Sequence, residues 1–398
     1  MTRFSRNAWI VGYARTPIGR AFRGAFNDTT APTLAAFSLR GAVARSGIDP
    51  ERIDDVILGC ALPEGTQYYT IGRLAALAAG LPVTTPGMTV DRQCSSGLMS
   101  IALASARIAG GDAGAILAGG VESISLVQAH MNRHRQQDER LLEQHPDAYM
   151  PMVDTADIVA SRYGVSRRAQ DDYAVISQQR AAHAAQTGLL HDEIVAVDVL
   201  KLEHDKATGT SSPRALRVTA DECGRPGTTI DALSALDAVR DGGTVTAGNA
   251  CALADGSAAC AVVSDSMLDT LSTPPLGRMV ACTVAGCRPD EMGVGPVPAV
   301  RRLLERTGLS VADVGLWELN EAFASQVVHC VGALGLSYET VNVNGGSIAL
   351  GHPYGMTGTR MVGHALLEGA RRGVKYVVVT MCIGGGQGAA ALFEVDYR

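Results

Sequence analysis

The chain has 398 residues, 46% of them hydrophobic, enough to bury a large core and to fill two or three domains of ordinary size. A formal net charge of -6, with no long block of lysine and arginine, removes the electrostatic basis for nucleic-acid binding. No apolar run reaches the roughly 18 to 20 residues that a spanning helix needs, and the opening MTRFSRNAWIVGYARTPIG lacks a signal peptide's layout, so a cytoplasmic protein with no membrane association is expected.

From residue 34, LAAFSLRGAVARSGIDPERIDDVILGCALPEG reads as an amphipathic helix, a stop at Gly47, a turn with Asp and Pro, and a buried strand ending near Gly59. PGMTV reads as a strand and leads into VDRQCSSGLMS, which carries Cys94. CSSGLMSIALASARIAGGDAGAILAGG then reads as a small-residue helix, a glycine-rich turn and another strand. Residues 121–244 break this pattern with polar helices such as SRRAQDDYAVISQQRAAHAAQTG and are read as an inserted loop domain. Within them HMNRH sets His130 and His134 four apart. It lacks the glutamate of HExxH, so a solvated surface helix is expected and no metal site.

The last third repeats both earlier plans. AVRRLLERTGLSVADVGLWELNEAFAS matches the first, with Gly308 standing for Gly47, and GMTGTRMVGHALLEGARRGVKYVVVTMCIGGG matches the second. Helices alternating with short Val/Ile/Leu runs imply parallel strands covered by helices. The fold class is therefore α/β and internally duplicated, residues 1–120 with 245–270 forming one half and 271–398 the other.

Nine cysteines without a CxxC pair are expected to be free thiols. Most such thiols are small buried hydrophobes. Cys94 differs because it lies between a strand end and a helix start, where the helix dipole and unpaired N–H groups favour thiolate. The corresponding strand end of the second half carries Cys382, and duplication is expected to bring equivalent strand ends together. His352, just before the matching helix, can deprotonate a thiol; alone it reads as a turn histidine. Asn320, at another strand end, offers an amide donor to an oxyanion or a water, though a lone strand-end Asn is ordinarily a cap. Gly384, Gly386 and Ala389 form a GxGxxA match, but no helix and second strand follow and AAALFEV reads as a strand, so NAD is rejected and backbone N–H donation is the better use of these glycines.

Together these residues resemble the thiolase family over essentially the whole chain. Its markers stand as RTPIG at Arg15, CSSG at Cys94, GGVES at Gly119, TAGN at Thr246, MGVGP at Met292, NEAF at Asn320, GHP at His352 and CIGGG at Cys382. The resemblance implies the thiolase fold, two duplicated βαβαβαββ halves in a layered αβαβα core plus a loop domain that binds coenzyme A, assembled as a homodimer or homotetramer. It implies that Cys94 attacks a 3-ketoacyl-CoA, that His352 activates it, and that Cys382 moves the α-proton of acetyl-CoA. One oxyanion hole is implied from His352 and a water held by Asn320, the other from the N–H groups of Cys94 and Gly384. Arg225 is implied at the nucleotide end of coenzyme A, with Cys251 and Ala322 near the pantetheine. Coenzyme A and acyl-CoA are then substrates, with no metal and no further cofactor.

Three departures bear on the acyl chain: Cys251 where the family usually has Ser, DAV in place of an RPAF segment, and MPMVDTAD in place of HMG before TAE. CSSG leans toward the degradative 3-ketoacyl branch, while acetyl-CoA acetyltransferase stays open. A decarboxylating ketosynthase of the same fold lacks the second cysteine. A non-catalytic acyl-CoA or lipid carrier is expected to lose part of the Cys, His, Asn, Cys set, which this chain keeps.

Overall fold

The structure, a computed structural model, describes residues 7–396. Its strands are β1 (Ala8–Arg15), β2 (Gly19–Arg20), β3 (Asp55–Gly59), β4 (Gly87–Val90), β5 (Ala115–Glu122), β6 (Val197–His204), β7 (Ser211–Val218), β8 (Ala254–Ser264), β9 (Gly277–Gly286), β10 (Leu316–Leu319), β11 (Tyr376–Ile383) and β12 (Gln387–Val395). One half is ordered β4-β3-β5-β8-β1 and the other β10-β11-β12-β9. In the first, β3 runs parallel to β4 and β5, and β8 returns antiparallel between β5 and β1. The second repeats this with β10 parallel to β11 and β12 antiparallel between β11 and β9. A lone parallel bridge from Trp317 to Val341 fills the place that β4 has beside β3. The halves meet where Trp9 pairs with Arg278 and Ile10 with Gly277.

Side chains alternate across a strand, so a strand buried on both faces feeds two cores. Along β8, Ala258, Cys260 and Val262 enter one core while Ala259, Ala261 and Val263 enter another. Along β12, Ala389, Ala391 and Phe393 join that same first core, and Ala390 and Leu392 face a third. The shared core lies between the two halves of the sheet, and the helices Ser96–Gly110 and Tyr354–Arg372 fill it. The outer cores are closed by helices such as Ala31–Ser46 on one side and Pro296–Thr307 on the other. This is the layered αβαβα arrangement that the family resemblance implied, built on the α/β class read from the alternation of elements. Gly47 and Gly308 stop their helices at φ 71° and 72°, a left-handed conformation that glycine adopts at little cost.

The two central helices pack through small residues. Thr359 Oγ1 donates to Gly97 O at 3.0 Å, and a Cβ on Gly97 would stand 2.5 Å from Gly355 O. Close backbone approach sets the N-termini of these helices side by side, and Cys94 and His352 immediately precede them. Duplication therefore pairs Cys94 with His352. The expectation that Cys382 ends the strand equivalent to the one before Cys94 is corrected: Cys382 is on β11, whose counterpart is β5, ending at Glu122.

Residues 121–244 are tied into both halves. Glu193 accepts from Arg15 Nε at 2.8 Å, and Tyr173 Oη and Ser177 Oγ, on the helix Arg167–Gln186, donate to Glu321 at 2.6 and 2.7 Å. The surface helix expected around HMNRH does not form. His130 ends a short 3-10 turn and His134 lies in the loop beyond it, both exposed, because the backbone N–H groups of Asn132 and His134 go to the side chains of Glu64 and Asn132 instead of to a helical ladder.

Candidate active site

The end of β4, the turn after β10, the segment before the helix Tyr354–Arg372 and the turn after β11 meet at one end of the sheet. Cys94 lies in the 3-10 turn Gln93–Ser95 and is half-buried. Gln93 enters that turn at φ 47°, with its N–H on Asp91 Oδ1 at 2.6 Å. Burial pushes the Cys94 thiol up to about 12, although its own N–H and that of Gly384 point at the sulfur and oppose the shift. The sequence-based expectation of a thiolate favoured at a helix start is thereby corrected. Desolvation outweighs those two N–H groups, so the resting sulfur carries its proton and requires a base.

His352 is 1% exposed. Burial, and then the positive charge of Arg360, hold its imidazole down to about 3, so the ring is neutral, with one nitrogen unprotonated. Its Nε2 stands 3.3 Å from Asn320 Nδ2, and its Nδ1 stands 2.7 Å from Thr357 Oγ1. Asn320, buried in the turn after β10, has its Oδ1 held by Ser347 Oγ at 2.6 Å. The two residues, which sequence placed at a helix start and at a strand end, thus touch directly.

Cys382 is fully buried, and burial raises its thiol well above the ordinary value. Charge on Cys94 or Cys251 would raise it further, which places the three sulfurs within electrostatic reach of one another. Its Sγ–H points to Gln326 Oε1 at 3.8 Å. Cys251 donates its N–H to Ala322 O at 3.0 Å, pinning its segment to the NEAF turn. A Cβ on Gly384 would meet Gln93 Oε1 and Met152 Sδ, both at 3.7 Å, so Met152 lies beside the turn that carries Gly384. Arg225 stands apart from these groups. It is exposed, its N–H goes to Gln178 Oε1 at 2.8 Å, and it lines a 240 Å³ cleft that also includes Leu350. A larger cleft of 580 Å³ under β6 and β7 contains none of the candidate residues.

Sequence reasoning missed Thr357, Ser347 and Gln326, which touch the candidate side chains without standing at any motif spacing. It also passed over the carboxyl of Glu122, visible only as part of GGVES. Among the described residues, no group of three or more His, Cys, Asp or Glu is placed to hold a metal ion, and no helix is long and apolar enough to cross a membrane.

Comparison with known proteins gives the class. The model described as thiolase, N-terminal domain, matches residues 8–266, and that described as thiolase, C-terminal domain, matches 273–395. The chain is 44% identical over 393 residues to the 3-ketoacyl-CoA thiolase of Bacillus subtilis (strain 168), covering 98% of this chain and 100% of that one. Its fold superposes on human mitochondrial 3-ketoacyl-CoA thiolase with a TM-score of 0.88 at 36% identity, covering 99% and 100% of the two chains. The Bacillus anthracis acetyl-CoA acetyltransferase gives 0.87, also at 36% identity, covering 98% and 99%. The protein is an acyltransferase. With both family domains matched end to end, the chain belongs to the thiolase family, which acts on acyl-CoA and coenzyme A.

Proposed function

We propose that this thiolase cleaves 3-ketoacyl-CoA substrates longer than acetoacetyl-CoA, in a coenzyme A-dependent and reversible reaction, with Cys94 as nucleophile. The observation that carries the reading is the grouping of the Gly384 N–H and the Cys382 thiol about the Cys94 sulfur, with the Asn320–His352 pair at the start of the helix packed against the one that follows Cys94. His352 Nε2 takes the Cys94 proton, and the sulfur attacks the ketone carbon. The C2–C3 bond breaks, and the carbanion of departing acetyl-CoA takes the proton of Cys382. Coenzyme A then gives its own proton to the Cys382 thiolate and attacks the Cys94 thioester, and His352 returns the first proton to Cys94. Asn320 with His352 stabilises one oxyanion and the N–H groups of Cys94 and Gly384 the other, parts individually worth about 10²- to 10³-fold.

Arg225 sits at the nucleotide end of coenzyme A, and Cys251 and Ala322 hold the pantetheine, supported by the cleft beside Gln178 and by the Cys251–Ala322 hydrogen bond. No metal and no cofactor beyond these substrates enters the chemistry. The division into two halves with a coenzyme A-binding insertion at 121–244 follows the same reading. Assembly as a homodimer or homotetramer is supported by β4, an edge strand of the sheet, and by the outward aromatic pair Tyr68 and Tyr69, 64% and 73% exposed. Placement in the cytoplasm is supported by the nine unpaired thiols.

Preference for longer chains rests on Met152 lying beside Gly384, in the MPMVDTAD segment that departs from the usual family pattern. The test is kcat/KM for thiolysis of acetoacetyl-CoA and of a medium-chain 3-ketoacyl-CoA, side by side. The longer substrate is expected to win. A preference for acetoacetyl-CoA above tenfold, about 1.4 kcal/mol of transition-state discrimination, would make the protein an acetyl-CoA acetyltransferase, and binding of both without turnover would make it a carrier.

A further inference from the structure

The ring of His352 is one link in a chain of polar groups: Ser347 Oγ to Asn320 Oδ1 at 2.6 Å, Asn320 Nδ2 to His352 Nε2 at 3.3 Å, His352 Nδ1 to Thr357 Oγ1 at 2.7 Å, and Thr357 Oγ1 to Pro353 O at 2.9 Å. Every member is buried: Ser347 and Pro353 are closed off, and Asn320, His352 and Thr357 are each 1% exposed. A neutral imidazole has one N–H and one lone pair, so the protons of the whole chain point one way or the other.

The two directions are not equivalent. Running from Ser347 toward Pro353, each group donates to the next and four hydrogen bonds form. Running backward, Thr357 donates to Nδ1, Nε2–H donates to a turned Asn320 amide, and that amide donates to Ser347. Only three bonds form, and the Ser347 proton has no acceptor among the described residues. A buried donor without an acceptor costs about 1–3 kcal/mol, so the forward direction prevails. The carbonyl of Pro353, which can only accept, gives the chain its terminus.

We propose that Thr357 is a positioning residue for the reaction. By sending its own proton to Pro353 O, it must accept from His352 Nδ1, and this keeps Nε2 the unprotonated nitrogen, whose lone pair accepts from Asn320 at rest and takes the thiol proton when that amide N–H turns away. The inference rests on His352 as the base. Removing the hydroxyl strands an Nδ1–H in an apolar site, and the ring relieves this by moving the proton to Nε2, which removes the base. The rate falls while substrate contacts stay as they were.

The experiment is ¹⁵N NMR of protein labelled on the histidine ring, with the His352 signals assigned by their loss in His352→Gln, combined with steady-state thiolysis. In the wild type, Nδ1 is expected at the protonated, pyrrole-type shift and Nε2 at the pyridine-type shift; the reverse pattern overturns the proposal. Thr357→Val is expected to exchange the two shifts and to lower kcat by at least about tenfold with KM within about twofold, and Thr357→Ser to restore both. A Thr357→Val protein with wild-type shifts and wild-type kcat also overturns it. Should the valine variant fail to fold, the wild-type and serine spectra still decide the tautomer. Full turnover by His352→Ala would instead defeat the catalytic reading, leaving the assignment of the ring proton to the spectra.

Discussion

The carboxylate of Glu122 accepts the backbone N–H of Gly355 at 2.7 Å, joining the end of β5 to the first turn of the helix that follows His352. Ala61 N, Leu62 N and Gln67 Nε2 meet the same group at 3.0, 3.2 and 2.7 Å. Burial outweighs these donors and raises the carboxyl from 4.5 to about 7, so the folded chain binds this proton more tightly than the unfolded chain. The resulting stabilisation is complete below the unfolded value and is lost as pH rises through the folded one. Glu122→Gln is expected to flatten the fall in stability across that window by about 3 kcal/mol. Urea unfolding of both proteins at pH 5 and pH 8 measures it, and parallel pH profiles would count against the raised carboxyl. Asp255, also raised by burial, to about 6, titrates in the same range in both proteins and cancels in the difference.

A Cys94 thiol pushed up to about 12 is a poor nucleophile at rest. Iodoacetamide alkylation of Cys94 in the free enzyme is expected to rise about tenfold per pH unit between pH 7 and 9, following the thiolate fraction. Cys94→Ser is expected to fold and assemble normally and to form no acyl adduct by intact mass. An acetyl group found on another cysteine of that variant would sink the nucleophile assignment.

Cys382→Ala leaves Cys94, His352 and the Gly384 N–H in place. It is expected to acylate Cys94 from acetyl-CoA and yet to lose exchange of the acetyl α-protons by about 10²-fold or more, as befits removal of a general acid–base group. Deuterium wash-in at the wild-type rate would refute the role.

Gly97→Ala tests the approach of the central helices. The added methyl would meet the backbone oxygen of Gly355 at 2.5 Å and Thr359 Oγ1 at 2.6 Å, and a backbone oxygen cannot turn aside. A loss of about 1–3 kcal/mol in urea unfolding is expected, with reduced turnover as Cys94 shifts relative to His352. A variant with wild-type stability and turnover would show that the crossing tolerates separation.

Much of the fold was legible in the sequence because it is written in local chemistry. Helix stops at Gly47 and Gly308, unbroken Val/Ile/Leu runs and two repeated helix-turn-strand plans depend on neighbours in the chain, and each emerged where expected. The same local reading drew a surface helix through His130 and His134 and missed that side chains capture the backbone donors there. It also joined Cys382 to the wrong strand end, since equivalence between halves follows sheet order, here β5 with β11, and sheet order is a matter of pairing across long separations.

For the site, the sequence by itself determined which groups are available: two cysteines, a histidine, an asparagine and a glycine run at element ends. Only the tertiary structure decided their state. Burial, a property of everything packed around a group, keeps the Cys94 thiol protonated against the two N–H groups at its sulfur and holds His352 neutral. The direction of the protons around that ring is fixed by Ser347, Asn320, Thr357 and Pro353, which the chain brings together from separate segments. Residue identity supplies the acid and the base, whereas desolvation and the count of satisfied hydrogen bonds, both sums over distant neighbours, settle which is which.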